Sequence, residues 1–236
     1  VKLWSHSRDE LLDLPIDALA MLVLEAFGPN GWNVDSFFKG AAQSHTVFNQ
    51  PGVAERIADA WSWLEAHALI SPNPAQSTSP NARRVTQAGR EALQHGLTRL
   101  KAGQRLDVDL HPSLAWTIRR QFLLGEFELA AFAALREVEI RVRALGSFGD
   151  ELIGVALMAN AFNPKGPGPL ADPQAESGER EAMMALFRGA IGTFKNPSSH
   201  RAVNYDDPVL AAEVVLLADL LMRLLDRVEA RRTSSP

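Results

Sequence analysis

The 236-residue sequence predicts a mainly α-helical protein in two parts, and three observations carry that expectation. Apolar residues recur at helical spacing through most of the chain. One passage, Leu69 to Leu93, reads instead as a short strand, a Ser/Pro/Asn-rich tip and a second strand leading into a helix. From His111 onwards no alternating strand pattern occurs.

Taken in order, Leu12, Ile16, Leu19, Leu22, Val23 and Ala26 define a first helix between Leu11 and Phe27, ended by Gly28-Pro29-Asn30-Gly31. A short helix is expected at Val34–Phe38 and a long one from Pro51 to His67, with Val53, Ile57, Ala60, Trp61 and Leu64 in register. The β-ribbon follows. The polar stretch Gln94–Asp109 reads as a connector with its flexible point at Lys101–Arg105, which divides the chain into 1–105 and 106–236. Beyond it, helices are expected over about Pro112–Leu124, Glu126–Leu145, Asp150–Ala161, Glu179–Phe194 and Asp207–Ala230, with a surface loop between Asn163 and Gly178. In the last helix Leu210, Val214, Leu217, Leu221 and Leu224 form a stripe widened by Ala211, Val215, Ala218, Met222 and Leu225. Leu129, Phe132, Ala133, Leu135, Val138, Ile140 and Val142 offer the opposing surface, and Arg136, Glu139, Arg141 and Arg143 are left for solvent or a partner. A four- or five-helix bundle is the expected outcome.

The bulk properties narrow the function classes. A 46% hydrophobic content supplies a core, and the absence of cysteine removes disulfide frameworks and thiolate zinc sites, which suits a cytoplasmic protein. Glu213, Asp219 and Arg223 interrupt the apolar run Leu210–Leu225, and the N-terminus has no basic leader before an apolar core, so neither a membrane span nor a secretion signal is expected. The net charge of -4 argues against a general nucleic-acid coat; residues 1–105 carry ten basic and ten acidic side chains, so the excess acid lies in 106–236. Histidine spacing matches no metal motif, and no cofactor is expected.

Leu64-Glu65-Ala66-His67-Ala68-Leu69-Ile70 followed by Val85-Thr86-Gln87-Ala88-Gly89-Arg90 resembles the helix-to-wing passage of winged-helix repressors and adaptors, over about residues 9–96. The would-be recognition helix, beginning Val53-Ala54-Glu55-Arg56, presents more acid than base, which weakens a major-groove reading. Arg83 and Arg84 at the base of the ribbon are the candidate nucleic-acid contacts, against the plainer reading of a solvated pair.

Phe194-Lys195-Asn196-Pro197-Ser198-Ser199-His200-Arg201 is the passage that looks most like chemistry: a turn between helical segments with a cation five positions before a histidine and another directly after it. Together with Leu157-Met158-Ala159-Asn160-Ala161-Phe162, Pro169-Leu170 and Leu186-Phe187-Arg188-Gly189-Ala190, it resembles the bacterial Ymh-type proteins, which look like members of the HEPN superfamily. The resemblance implies an all-α fold, frequent homodimers and, in active members, metal-independent RNA cleavage by an arginine and a histidine four to six residues apart, in toxin or phage-defence roles. His200 matches the histidine and Asn196 the polar residue after the arginine, while Lys195 stands where the arginine is expected. An ammonium is a point charge without the bidentate fork of a guanidinium.

On this reading His200 serves as general base or acid, Lys195 stabilises charge on phosphorus, Asn196 orients the ribose or phosphate, Glu139 or Glu137 sets the histidine tautomer, and Arg201 is a supporting residue. RNA is the expected partner, a second copy completes the site, and DNA or a protein is available to the N-terminal part. The rivals are an inactive nucleic-acid or protein adaptor and a winged-helix transcriptional regulator. The plain readings are a surface histidine and a helix-end cation. Gly166-Pro167-Gly168-Pro169 is read as a turn, since prolines remove the donors of a phosphate loop, and Trp61 and Trp116 as core residues.

Overall fold

The computed structural model describes residues 2–166, 168–195 and 207–234. The chain is mainly helical and divides into two compact units, residues 1–100 and 101–236.

In the first unit the expected opening helix is two: α1 (Arg8–Asp13) and α2 (Ile16–Phe27). Pro15 separates them, because it has no N–H for a continuous ladder and its ring excludes the preceding turn. Ser7 and Glu10 form a reciprocal capping box on α1. Next come α3 (Val34–Ser44), longer than expected and capped by Asn33, and α4 (Val53–Ala66). Leu19, Val23, Leu24, Ile57 and Leu64 are fully buried here, and Phe27 meets Trp61 edge-on at 4.9 Å. Strands β1 (Ile70–Pro72) and β2 (Arg83–Val85) pair antiparallel, with Ile70 opposite Val85, and Asn33 bridges Ala82 beside them. Thr86 caps α5 (Gln87–His95), donating its hydroxyl to the Ala68 carbonyl at 2.7 Å while accepting from the Gly89 N–H. Glycine is required at 89, since a Cβ there would lie 2.2 Å from the Leu69 carbonyl oxygen.

The stretch expected to be a flexible connector is largely helix, α6 (Thr98–Arg105), with Ala102 fully buried. In the second unit the expected Pro112–Leu124 helix is divided at Trp116 into α7 (Pro112–Ala115) and α8 (Thr117–Leu123). Trp116 is 79% exposed, which corrects its assignment to the core. Leu114, Ile118 and Phe122, spaced by four, take the buried face, and a residue two positions from either neighbour points the opposite way.

The long helices α9 (Phe127–Gly146) and α12 (Pro208–Ser234) pack together, joined by α10 (Gly154–Ala161) and α11 (Ser177–Ala190). On α12 the core face takes Ala211, Val215, Ala218, Met222 and Leu225, the set expected to widen the stripe, together with Val214 and Leu221 of the expected stripe itself, while Leu210 is exposed. On α9 it is Ala130, Ala131, Ala134, Leu135, Val138 and Val142 that are buried, while Leu129 and Ile140 are exposed. Ion pairs from Arg141 to Asp226 at 2.6 Å and Glu229 at 2.8 Å fasten α9 to α12. The His111 N–H donates to the buried Asp219 at 2.5 Å, fastening the start of α7 to α12. The expected surface loop between Asn163 and Gly178 ends earlier, since Ser177 begins α11, and it is not wholly superficial, since Leu170 is buried and its N–H donates to the Ala161 carbonyl.

Candidate functional site

Helix α11 does not run unbroken to Phe194. After Ala190 its hydrogen bonding widens into one π-helical turn, Ile191–Lys195, and Lys195 is the last described residue before position 207. Ile191 is buried and a Cβ at Gly192 would approach Val155 of α10 to 3.2 Å, so this turn is pressed against its neighbours.

That placement brings Lys195 to α9. Its Nζ lies 2.9 Å from Glu139 Oε2 and 5.8 Å from the centre of the Phe132 ring. Glu139 is only 5% exposed, so of its two expected settings, solvent or a partner, it has the second. Its other oxygen accepts from Arg143 at 3.1 Å, one helical turn further along α9. Burial alone raises the Glu139 carboxyl pKa, but the hydrogen bond and charge of Lys195, the Gly154 N–H at the start of α10 and Arg143 together hold it below the ordinary value. The carboxylate is therefore ionised and purely an acceptor at neutral pH. Arg143 also donates to the Leu152 carbonyl at 3.2 Å and lies 3.9 Å from the exposed Asp150.

Two cations thus share one buried carboxylate, and that carboxylate holds the Lys195 side chain against α9 where the chain enters Asn196. Of the residues singled out from sequence, Lys195 and Glu139 are brought together. Asn196, His200 and Arg201 lie outside the described residues, as does Pro167 of the glycine-proline turn. Arg143, the Gly154 N–H and Phe132 were not singled out for the site; the Glu139–Arg143 spacing of four on a strong helix was a readable signal for the first. Among the described residues no three histidine, aspartate or glutamate side chains converge to hold a metal, and no helix is long and apolar enough to cross a membrane.

Arg83 and Arg84 are not equivalent. Arg83 is tied by Glu65 at 2.7 Å and by the Pro80 carbonyl at 2.8 Å, so its charge is spent inside the ribbon base. Arg84, opposite Ser71 in the register, is exposed. Only the latter is presented to an outside ligand.

Among comparisons with known proteins, a family model described as "Protein of unknown function (Hypoth_ymh)" matches residues 108–225. No curated protein and no solved structure matches the chain.

Proposed function

The chain belongs to the Hypoth_Ymh family, and from that premise we propose that its C-terminal unit is a HEPN-like, metal-independent endoribonuclease acting as a homodimer. The observation that carries the reading is the Lys195–Glu139 pair. It fixes a charged ammonium at the end of a π-turn, one residue ahead of the Asn196–His200 segment, and π-turns of this kind recur at functional positions.

In the proposed reaction His200 removes the proton of a ribose 2′-hydroxyl, whose oxygen then bonds to phosphorus. Lys195 stabilises the added negative charge, and Asn196 orients the phosphate. The bond from phosphorus to the 5′-oxygen breaks as a protonated histidine, contributed by the second copy's His200, returns a proton to that oxygen. The products are a 2′,3′-cyclic phosphate and a 5′-hydroxyl. Glu139 acts on Lys195 rather than on the substrate: it positions the ammonium.

The N-terminal unit is proposed to be winged-helix-like, a reading supported by the order of α2, α3, α4, β1 and β2 and by the Asn33–Ala82 bridge beside the ribbon. Its role is recruitment or sensing in a cytoplasmic toxin or phage-defence setting. One observation favours a second reading: the Glu139 carboxylate already neutralises one unit of cationic charge at the site, as it would in an adaptor that binds without cleaving.

Incubating the protein and its His200→Ala variant with structured and single-stranded RNA in chelator, then mapping product ends, separates the two. Cyclic-phosphate ends made by the parent alone support the nuclease. Identical RNA profiles from both proteins, with RNA still bound, support the adaptor.

A further inference from the structure

A cavity of about 250 Å³ opens in the second unit between the end of α10, the 163–176 connection, α11 and α12. Its apolar wall is Phe162, Leu170, Met183 and Val228, of which Phe162, Leu170 and Val228 are themselves buried. Phe162 stacks on Phe187 at 4.3 Å, so that wall has rigid backing from α11.

The polar side is set by two arginines with different fates. Arg231 is held by Asp172 at 2.7 Å and by the Leu170 carbonyl at 3.3 Å. Arg180 also lines the cavity, is half-buried, and its guanidinium has no hydrogen bond or ion pair among the described residues; its Nε is buried without a partner. Among the described residues four other arginines carry a buried, unpartnered Nε, namely Arg56, Arg119, Arg141 and Arg143. Each of those is anchored through another nitrogen, to Leu14, Asp107, Asp226 and Glu139 respectively. Arg180 is not. Glu179 at the rim is exposed and forms no ion pair among the described residues.

A guanidinium taken partly out of water without a counter-charge is costly, and the cost is relieved when an anion arrives. Its planar fork matches the two oxygens of a carboxylate. The volume is below the roughly 300–1,000 Å³ usual for drug-sized ligands, so the occupant is short. We propose that this cavity binds a small amphipathic carboxylate, with its hydrocarbon part against Phe162, Leu170, Met183 and Val228 and its carboxylate on Arg180. The proposal is independent of the ribonuclease reading.

The test titrates the full chain with hexanoate and, separately, 1-hexanol, followed by NMR shifts of the methionine methyl groups. Hexanoate is expected to bind saturably and at least about tenfold more tightly than the alcohol, the value of one charge-assisted contact. Arg180→Met removes that preference and leaves the alcohol's affinity unchanged. Ala175→Trp, at a half-buried lining position on the connection, removes both ligands and remains informative if the arginine variant fails to fold. Absence of saturable hexanoate binding, equal affinity for acid and alcohol, or undiminished hexanoate binding by folded Arg180→Met would overturn the proposal.

Discussion

Lys195 and Glu139, on the last π-turn before position 196 and midway along α9, form an ion pair at 2.9 Å in which both side chains are largely withdrawn from water. Arg143 and the Gly154 N–H complete the environment of the carboxylate.

Coupling across this pair is measurable as a double-mutant cycle. Glu139→Gln or Lys195→Met alone leaves a buried charge without its main partner and should destabilise by about 3–5 kcal/mol. The double variant should recover part of that loss, because neither charge is then stranded. Denaturant unfolding of the four proteins checks this; strictly additive losses would show that the two groups are not coupled.

The acid limb of stability carries a second prediction. The Glu139 carboxyl has a folded-state pKa below its ordinary value near 4.5, so its contribution is fully present above that value. It is lost as pH falls through the lowered folded-state value, where the carboxylate takes up a proton and the pair with Lys195 dissolves. Unfolding free energy measured from pH 7 down to pH 3 should fall less steeply in Glu139→Gln than in the parent.

Position 195 separates a catalytic cation from a structural one. If the proposed ribonuclease reading holds, Lys195→Arg, which keeps the charge beside Glu139 and supplies a fork for phosphate, should leave RNA cleavage unchanged or raise it, whereas Lys195→Met should lower it by about 100-fold or more. Equal single-turnover rates in the parent and a folded Lys195→Met protein would leave Lys195 a role in packing alone.

The two tryptophans assigned to the core from sequence should behave in opposite ways. Trp61 is 6% exposed beneath Phe27 and Phe37, and Trp61→Ala should cost about 3–5 kcal/mol. Trp116 is exposed, and its replacement by alanine should move stability by no more than about 0.5 kcal/mol. Thermal unfolding distinguishes them directly.

Two glycines offer a matched contrast. Gly89→Ala drives a Cβ into the Leu69 carbonyl and should lower Tm, since backbone on both sides has to shift. Gly189→Ala, in the last turn of α11 just before the π-turn and with open space around it, should raise stability by up to about 0.5–1 kcal/mol through helix propensity.

Most of the helices, the ribbon and the Lys195 position were legible from the chain, because apolar spacing and the Gly, Pro and Asn punctuation are local properties. The failures have local causes too. The apolar period continues across Pro15 and masks the break it makes, and on α9 the expected Leu135, Val138 and Val142 are buried whereas Leu129 and Ile140, more hydrophobic than alanine, are exposed while Ala130, Ala131 and Ala134 take core positions. The burial of Glu139 had no local sign. A carboxylate on a helix face reads as solvated until a partner from a distant element is placed against it.

The sequence by itself determined the helical character, the two-part organisation, the ribbon and the cation that precedes Asn196, all of which follow from residue type and spacing over a few turns. Only the tertiary structure decided that Lys195 meets Glu139, that Arg83 is bound while Arg84 is exposed, and that Arg180 lines a cavity with no partner among the described residues. The physical reason is that ionic partners and cavities are set by long-range packing of elements distant in sequence. Local periodicity says which way a side chain leans along its own helix and nothing about what waits there.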